Sequence, residues 1–465
     1  MGGRRWCRRC TVSKQKGRNA APYLPLSDVF RHPAFSAAYL ALYKPLDSKG
    51  RYLHFDDLRR RWPRQLMPML CWSMVKAARS YGRFSLLALG VPAQLSTGWR
   101  TPGINQAIKL VDQQTTTQAF ESERQLIWNE ESLYHVLSDL RLDEAISSSQ
   151  LEGAATTTLV AKDLLKRQRV PRTPDERMIL GNYRMMRFAW EQRHVPLSVG
   201  LIEQMHEVGV SGIDDDKYAP GHLRNHDQVV VQDGDGNVVY TPPPAQGLEQ
   251  RLQRLADWIN AAPADLDAPG YLHPLIRAIA LHFAVGFEHP FRDGNGRVAR
   301  ALFYWFMFKN DYSAFRYIAI SVLLKNAPVK YGRSYLCTET DDLDLTYFID
   351  YQCAVIKRAV SGFAEVYARS LADAQSFEQW LRSSGVFRHL SEHQRAILQV
   401  ARAGKDSEFT AVTVKENLGC SYNTASAALN GLVDLDLFIK TKRGREWIFT
   451  MAEQMDIQQN WGGTL

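Results

Sequence analysis

Most of this chain follows the helical period, with apolar residues returning every three or four positions. From Leu275 to Phe287 the run is apolar at that spacing, holds no Pro and only one Gly (Gly286), and predicts a buried helix ending near His289. A second helix is expected to begin at about Arg297, turning Ala299, Leu302, Phe303 and Phe306 inward. Upstream, an amphipathic run starts around Glu131, carries Leu133, Val136, Leu140 and Ile146 on its apolar stripe, and ends at Gly153, which reads as a C-cap. A long helix is expected from about Leu343 to Leu371. Residues 30–130 show a mixed helical pattern broken at Trp62-Pro63 and Pro92, with Tyr52, Phe55, Leu58, Trp62, Leu66 and Trp72 as core.

The period shortens to that of a strand in two places. Gln228 to Gln232 and Val238 to Thr241 are β-branched runs around Asp233-Gly234-Asp235-Gly236-Asn237, the pattern of a β-hairpin, and Pro242 to Pro244 close it. Near the C-terminus, helices are expected over Ser391 to Ala403, Thr410 to Leu418 and from a Ser421 cap to about Leu435, followed by a ribbon over Phe438 to Phe449. That order resembles a winged helix-turn-helix. Its third helix would present Tyr422, Asn423, Thr424 and Ser426 to a DNA groove, and the ribbon would add Lys440, Lys442, Arg443 and Arg445 for phosphates. Winged helices also serve as docking or dimerisation modules, so DNA and protein both stay open as its partner.

At 465 residues the chain is too long for one core. The expected organisation is a basic disordered tail over residues 1–20, an N-terminal helical domain over 21–130, a catalytic unit over 131–372, a linker or short helix over 373–389 and the winged helix over 390–465. The fold class is mainly α. The net charge of +8 suggests nucleic acid until it is divided. Arg4, Arg5, Arg8, Arg9, Lys14, Lys16 and Arg18 lie in the first twenty residues with no acid among them, which leaves +1 for all the rest. No stretch of 18 apolar residues occurs, so neither a membrane span nor secretion is expected. The six cysteines are scattered apart from Cys7 and Cys10, a pair lacking the second pair or nearby His of a zinc site. Such spacing fits reduced thiols in a cytoplasmic protein.

The chemistry concentrates in His289-Pro290-Phe291-Arg292-Asp293-Gly294-Asn295-Gly296-Arg297-Val298-Ala299-Arg300. Two glycines allow backbone N–H groups to turn toward one point, and a loop feeding a helix N-terminus is an anion site. Arg297 and Arg300 leave the first turn three residues apart and can fork onto phosphate oxygens. Asp293 is a hard oxygen ligand suited to Mg²⁺ held jointly with a substrate's phosphates. His289 can take a proton from an attacking hydroxyl at cellular pH.

This stretch resembles the signature of the Fic (Fido) family, His-x-Phe-x-Asp/Glu-Gly-Asn-Gly-Arg-x-x-Arg, at every position. The resemblance implies a Fic/Fido helical core and a protein adenylyltransferase, moving AMP from ATP to Ser, Thr or Tyr hydroxyls of proteins, itself included. His289 would be the base and Asp293 the Mg²⁺ ligand. Gly294, Asn295 and Gly296 would form the anion hole, Arg297 would contact the phosphate chain, Arg300 would neutralise the γ-phosphate, and Phe291 would anchor the loop. The stretch Ser147 to Gly153 also resembles the family's inhibitory motif, Ser/Thr-x-x-x-Glu-Gly/Asn, through Ser148, Glu152 and Gly153. Its implied role is autoinhibition, with Glu152 paired to Arg300 in cis. The hairpin is similar to the family's flap, whose edge, here Val238, Val239, Tyr240 and Thr241, aligns a target segment as an added strand. Gly221-His222-Leu223-Arg224 resembles the stretch before it. Competing readings are a DNA-binding regulator whose Fic core senses a nucleotide, and a Fic enzyme that mainly removes AMP or transfers another group. Target and oligomeric state stay open.

Overall fold

The computed structural model describes residues 20–120, 134–213, 218–232, 236–261, 270–403, 408–444 and 446–462. The basic start through residue 19 with its Cys7 and Cys10, the beginning of the run at Glu131, the hairpin tip at 233–235 and Arg445 lie outside them. Packing divides the chain into two compact units, one of residues 1–120 and 141–360, the other of 121–140 and 361–465.

The first unit opens with α1 (Leu26–Arg31), α2 (Phe55–Leu58) and α3 (Pro68–Ser80). A hairpin of β1 (Arg83–Leu89) and β2 (Gln94–Trp99) follows, then α4 (Pro102–Gln114), α5 (Tyr134–Leu151), α6 (Thr158–Lys166), α7 (Pro174–Glu191) and α8 (Val199–Val210). The short pair β3 (Val231–Gln232) and β4 (Val238–Tyr240) precedes α9 (Leu248–Asn260), α10 (Pro274–Glu288), α11 (Asn295–Lys309), α12 (Ile320–Asn326), α13 (Pro328–Glu339) and α14 (Thr346–Ser383). Local chemistry starts many of these helices. The side chains of Thr101, Thr173 and Ser198 each accept the backbone N–H three residues on, and α4, α7 and α10 carry Pro in their first turn.

The centre is the pair α10 and α11. Leu275 to Val285 are buried without exception, and so are Arg297 to Phe308. These helices are apolar all round because every face meets another element. α11 starts at Asn295, two residues ahead of the expected Arg297, since Gly294 at φ 86° acts as N-cap and its carbonyl accepts Val298 N–H at 3.0 Å.

The fold is mainly α, as expected, with small antiparallel hairpins. Within residues 21–130, read as helical, the β1–β2 hairpin is an addition. Its sequence is apolar in either period, and tertiary pairing decides: Leu345 N–H reaches Thr97 O at 2.8 Å, and Thr97 N–H reaches Leu343 O at 3.2 Å. The hairpin expected over 228–241 is shorter than its sequence suggests. Only Val231 and Gln232 pair with Tyr240 and Val238, and the register shifts between the two pairs. Gln228 to Val230 and Thr241 lie outside the strands, a limit set by a two-stranded ribbon that has no third partner.

The second unit takes over partway along α14, which runs twelve residues beyond the expected Leu371 and absorbs most of the stretch read as a linker. Then come α15 (Glu392–Ala403), α16 (Ala411–Leu418), α17 (Tyr422–Asp434), β5 (Phe438–Arg443), β6 (Glu446–Met451) and an unexpected α18 (Gln454–Gly462). Thr410 and Thr413 form a capping box, Gly419 sits at φ 61°, and the Ser421 side chain accepts Thr424 N–H. Leu398, Leu429, Leu432, Leu437, Phe438 and Ile457 share its core. Among the described residues, no helix is long and apolar enough to cross a membrane.

Close approach of α7 to α8 supports the site from below. A Cβ on Gly181 would lie 2.3 Å from Gly209 O, the carbonyl that also accepts from Arg297 Nη1 at 3.2 Å. Gly181→Ala is therefore expected to lower stability by about 1–3 kcal/mol, the usual cost of overpacking. Urea denaturation checks this, and an unchanged midpoint would mean that the two helices part freely.

Candidate functional site

α10 ends at Glu288, and His289 follows in the left-handed region at φ 51°, ψ 61°. A non-glycine residue there needs support. Arg224, itself buried, supplies it. Its Nε donates to His289 O at 2.8 Å, its Nη2 to Glu288 O at 3.3 Å and to Pro243 O, and its backbone N–H to Pro290 O at 2.8 Å. Glu288 points the other way, accepting Arg251 Nε at 2.6 Å and Gly90 N–H at 2.9 Å, so the tip of the β1–β2 hairpin braces the loop that starts at His289. His289 Nδ1 lies 3.2 Å from Gly286 O, an acceptor only, which puts the hydrogen on Nδ1 and leaves Nε2 as the basic nitrogen. Burial holds the His289 pKa below its ordinary 6.5, against the Gly286 hydrogen bond and with help from the Arg224 charge.

The loop after His289 closes on itself. Asn295 Oδ1 accepts Phe291 N–H and Asn295 Nδ2 donates to Phe291 O, both at 2.8 Å. The Asn295 side chain is thus spent on the loop. What Asn295 can offer an anion is its backbone N–H, together with those of Gly296 and Arg297 in the first turn of α11, where no intrahelical acceptor exists. Phe291 is fully buried, and the His206 ring lies flat on it with centroids 3.8 Å apart. Burial pushes the His206 pKa down to about 4. Asp293 is half-buried at the mouth of this cradle and its Oδ1 accepts Gly294 N–H at 2.6 Å.

Arg297 and Arg300 differ in their surroundings. Arg297 is buried beneath the cradle, bonded to Gly209 O and stacked 5.6 Å from the Tyr218 ring. Arg300 is 1% exposed and reaches across to the end of α5. Its Nε donates to Ser148 Oγ at 2.9 Å, and its Nη2 to Ser148 O at 3.1 Å and to Glu152 Oε1 at 2.8 Å. Burial, the largest single effect, would lower the Arg300 pKa, but the Glu152 charge and hydrogen bond together with Tyr331 and Glu144 outweigh it and the net shift is upward. The same Glu152 oxygen would lie 2.2 Å from a Cβ on Gly296, so the carboxylate rests on the first turn of α11. Gly153 at φ 102° lets the chain leave α5 immediately afterwards.

Beside His289 and Gly296 opens a pocket of about 100 Å³ between the β3–β4 hairpin and α13. Val231, Val239, Tyr240, Val329, Tyr335 and Leu336 make it largely apolar. Val238 is exposed at the hairpin's outer side, while Tyr240 turns in and donates its hydroxyl to Phe287 O at 2.7 Å. Glu339 also lines the cavity, and burial raises its carboxyl pKa to about 8. His206, Arg251, Glu288 and Glu339 were not singled out in the sequence. Their roles come from partners dozens of residues away, and only the short Gly221–Arg224 match hinted at Arg224.

In the second unit Tyr422, Asn423 and Thr424 are exposed and Ser426 is half-buried. The Thr424 hydroxyl is 2.8 Å from Ser421 Oγ in the helix cap, and Asn430 Nδ2 donates to Ser426 O at 2.8 Å. Lys440 donates to Asn430 Oδ1 at 2.7 Å and lies 4.6 Å from the Trp447 ring, with Lys442 5.5 Å from the same ring. Arg443, expected to face phosphate, makes a two-pronged ion pair with Glu408 at 2.8 and 2.9 Å.

Over 75 residues the chain is 36% identical to "Protein adenylyltransferase Fic" of Nematostella vectensis, a match spanning 16% of this chain and 15% of that protein. Among solved structures, a Fic family protein from Desulfovibrio desulfuricans G20 is 18% identical with a TM-score of 0.46, covering 76% of this chain and 97% of that one. A Fic-1 fragment from C. elegans is 19% identical with a TM-score of 0.43, covering 58% and 72%. The family model described as Fic/DOC matches residues 196–307. That segment, from the start of α8 through the His289–Arg300 loop and along α11, is a Fic/DOC family domain.

Proposed function

We propose that this protein is an adenylyltransferase that moves AMP from ATP to a Ser, Thr or Tyr hydroxyl of a protein, itself included, and that Glu152 holds it inhibited. The observation that carries this reading is the basic Nε2 of His289 standing beside an anion cradle and an apolar pocket. In the transfer, His289 Nε2 removes the hydroxyl proton while the hydroxyl oxygen forms a bond to the α-phosphorus. The bond from that phosphorus to the bridging β-phosphate oxygen breaks, and pyrophosphate leaves with the electron pair. First-turn N–H groups of α11 and the buried arginines stabilise the charge on the phosphates, so catalysis is positioning and electrostatics.

One carboxylate at the mouth of a phosphate cradle suits Mg²⁺ that arrives on the nucleotide, so Asp293 fits as its protein ligand. Bound there, Mg²⁺ would neutralise charge building on the phosphate oxygens. The apolar pocket fits the base, and a protonated Glu339 in its lining can both donate to and accept from a base edge. The short β3–β4 edge suits a target segment added as a strand.

Inhibition follows from competition for one place. Glu152 presents a carboxylate to Arg300 and to the first turn of α11, the two features a terminal phosphate needs. A hydrogen bond to a charged group contributes about 1.5–3 kcal/mol.

Removing the competitor in Glu152→Gly is expected to raise self-labelling from α-³²P-ATP by roughly ten- to a hundredfold, at 1.36 kcal/mol per factor of ten. Adding His289→Ala should abolish it. Labelling of Glu152→Gly no faster than the parent would remove the inhibitory role, and labelling that survives His289→Ala would remove the base.

The pH profile of Glu152→Gly tests both titrating groups. His289 acts as the neutral base and its pKa is lowered, so kcat/KM should hold down past pH 6.5 and fall only at lower pH. Glu339 is neutral below about 8 and charged above it, so KM for ATP should rise as pH passes that value. Glu339→Gln should flatten the alkaline rise alone.

A further inference from the structure

We propose that His206 is a positioning residue that fixes the base side of the site against the phosphate side. The inference rests on the transfer reading above. His206 belongs to α8, 87 residues before Asp293, and is completely buried. It makes three contacts with two separate segments. Its ring lies on Phe291 at 3.8 Å and 8°. Its Nδ1 accepts Gly221 N–H at 3.2 Å, and its Nε2 is 3.0 Å from Asp293 O. With Nδ1 committed as acceptor, Nε2 must carry the hydrogen and donate to the Asp293 carbonyl, so one tautomer of the neutral ring satisfies both bonds.

What these bonds hold explains the assignment. The Asp293 carbonyl precedes Gly294, the N-cap whose φ of 86° aims the first turn of α11. A Cβ on Gly294 would lie 3.4 Å from the His206 ring, so the ring also bounds that turn. Gly221, at φ 75°, opens the segment whose Arg224 grips the carbonyls of Glu288 and His289 and the one after them at Pro290. Through Gly221 the ring sets where the base stands. Through Asp293 it sets where the phosphates and their metal stand. General-base catalysis depends on the spacing of the two segments to about an ångström.

The test uses Glu152→Gly as the active background. His206→Phe keeps the flat ring on Phe291 and loses both hydrogen bonds; His206→Gln can restore the donor to Asp293 O. His206→Phe is expected to lower kcat on the order of 10²-fold with little change in KM for ATP, the scale of a 1 Å misplacement. His206→Gln should recover part of that loss. Unchanged kcat in His206→Phe would overturn the proposal, and so would equal losses in both variants that follow their thermal midpoints. Hydrogen exchange read by mass spectrometry keeps the outcome independent of activity. Peptides covering 219–224 and 290–297 should exchange faster in His206→Phe than in its parent, and unaltered exchange in both overturns the proposal. If Glu152→Gly itself transfers nothing, the transfer reading fails, and the exchange result still decides whether His206 joins the two segments.

Discussion

A guanidinium with 1% of its surface exposed needs partners for its N–H groups, because taking a charge out of water costs several kcal/mol unless it is paired and hydrogen-bonded. Arg300 is such a group, and Glu152 is the carboxylate bonded to it. Helix α11 is buried along its whole length, so Arg300 cannot swing out to water when that partner leaves. It keeps its bonds to Ser148, and the place of the carboxylate is open to another anion. A nucleotide phosphate meets the requirement, and the reading of Glu152 as an inhibitor then needs no moving part beyond the end of α5.

The other buried charges follow the same rule and show why the loop can be strained. Arg224, Arg251 and Glu288 are each nearly inaccessible, and each is saturated with bonds from different stretches of chain. His289 keeps an unfavourable φ because Arg224 holds its carbonyl and Glu288 is anchored from behind. The N-terminal hairpin, which carries no reactive group of its own, enters the site in this way through Gly90. Removing either partner of the Arg251–Glu288 pair would leave the other charged and dry, a cost of about 3–5 kcal/mol.

How much of this was legible depended on sequence distance. The base, the acid, the glycines and the arginines sit in twelve consecutive residues, and α10 and α11 have an apolar pattern that no other structure fits. Local signals also carried the caps at Thr410 and Ser421 and the positive φ of Gly153. The residues that position the loop were hidden. His206 to Asp293 spans 87 residues and Gly90 to Glu288 spans 198, and neither His206 nor Glu288 differs in its local sequence from an ordinary core His or a helix-end Glu. The β1–β2 hairpin was missed because the bonds that Thr97 makes to the loop before α14 lie outside its own residues. The Glu408 partner of Arg443 was hidden in the same way, lying 35 residues away.

In the proposed scheme, inhibition and catalysis share space at Gly296. A methyl group there would overlap the Glu152 oxygen at 2.2 Å and approach Arg300 Nη1 at 3.1 Å. It would expel the carboxylate, and it would also crowd any phosphate drawn to the same first turn, so position 296 cannot relieve inhibition without damaging the cradle. Relief has to come from α5 instead. That helix is tied down from outside the cradle, by Ser321 bonding to Glu144 and by Lys325 Nζ donating to Gln150 Oε1 at 2.7 Å. Both ties run to α12, which touches no nucleotide group in this scheme. A signal acting on α12 could therefore loosen Glu152 while leaving His289, Asp293 and the α11 turn in place, which separates the control of the site from its chemistry.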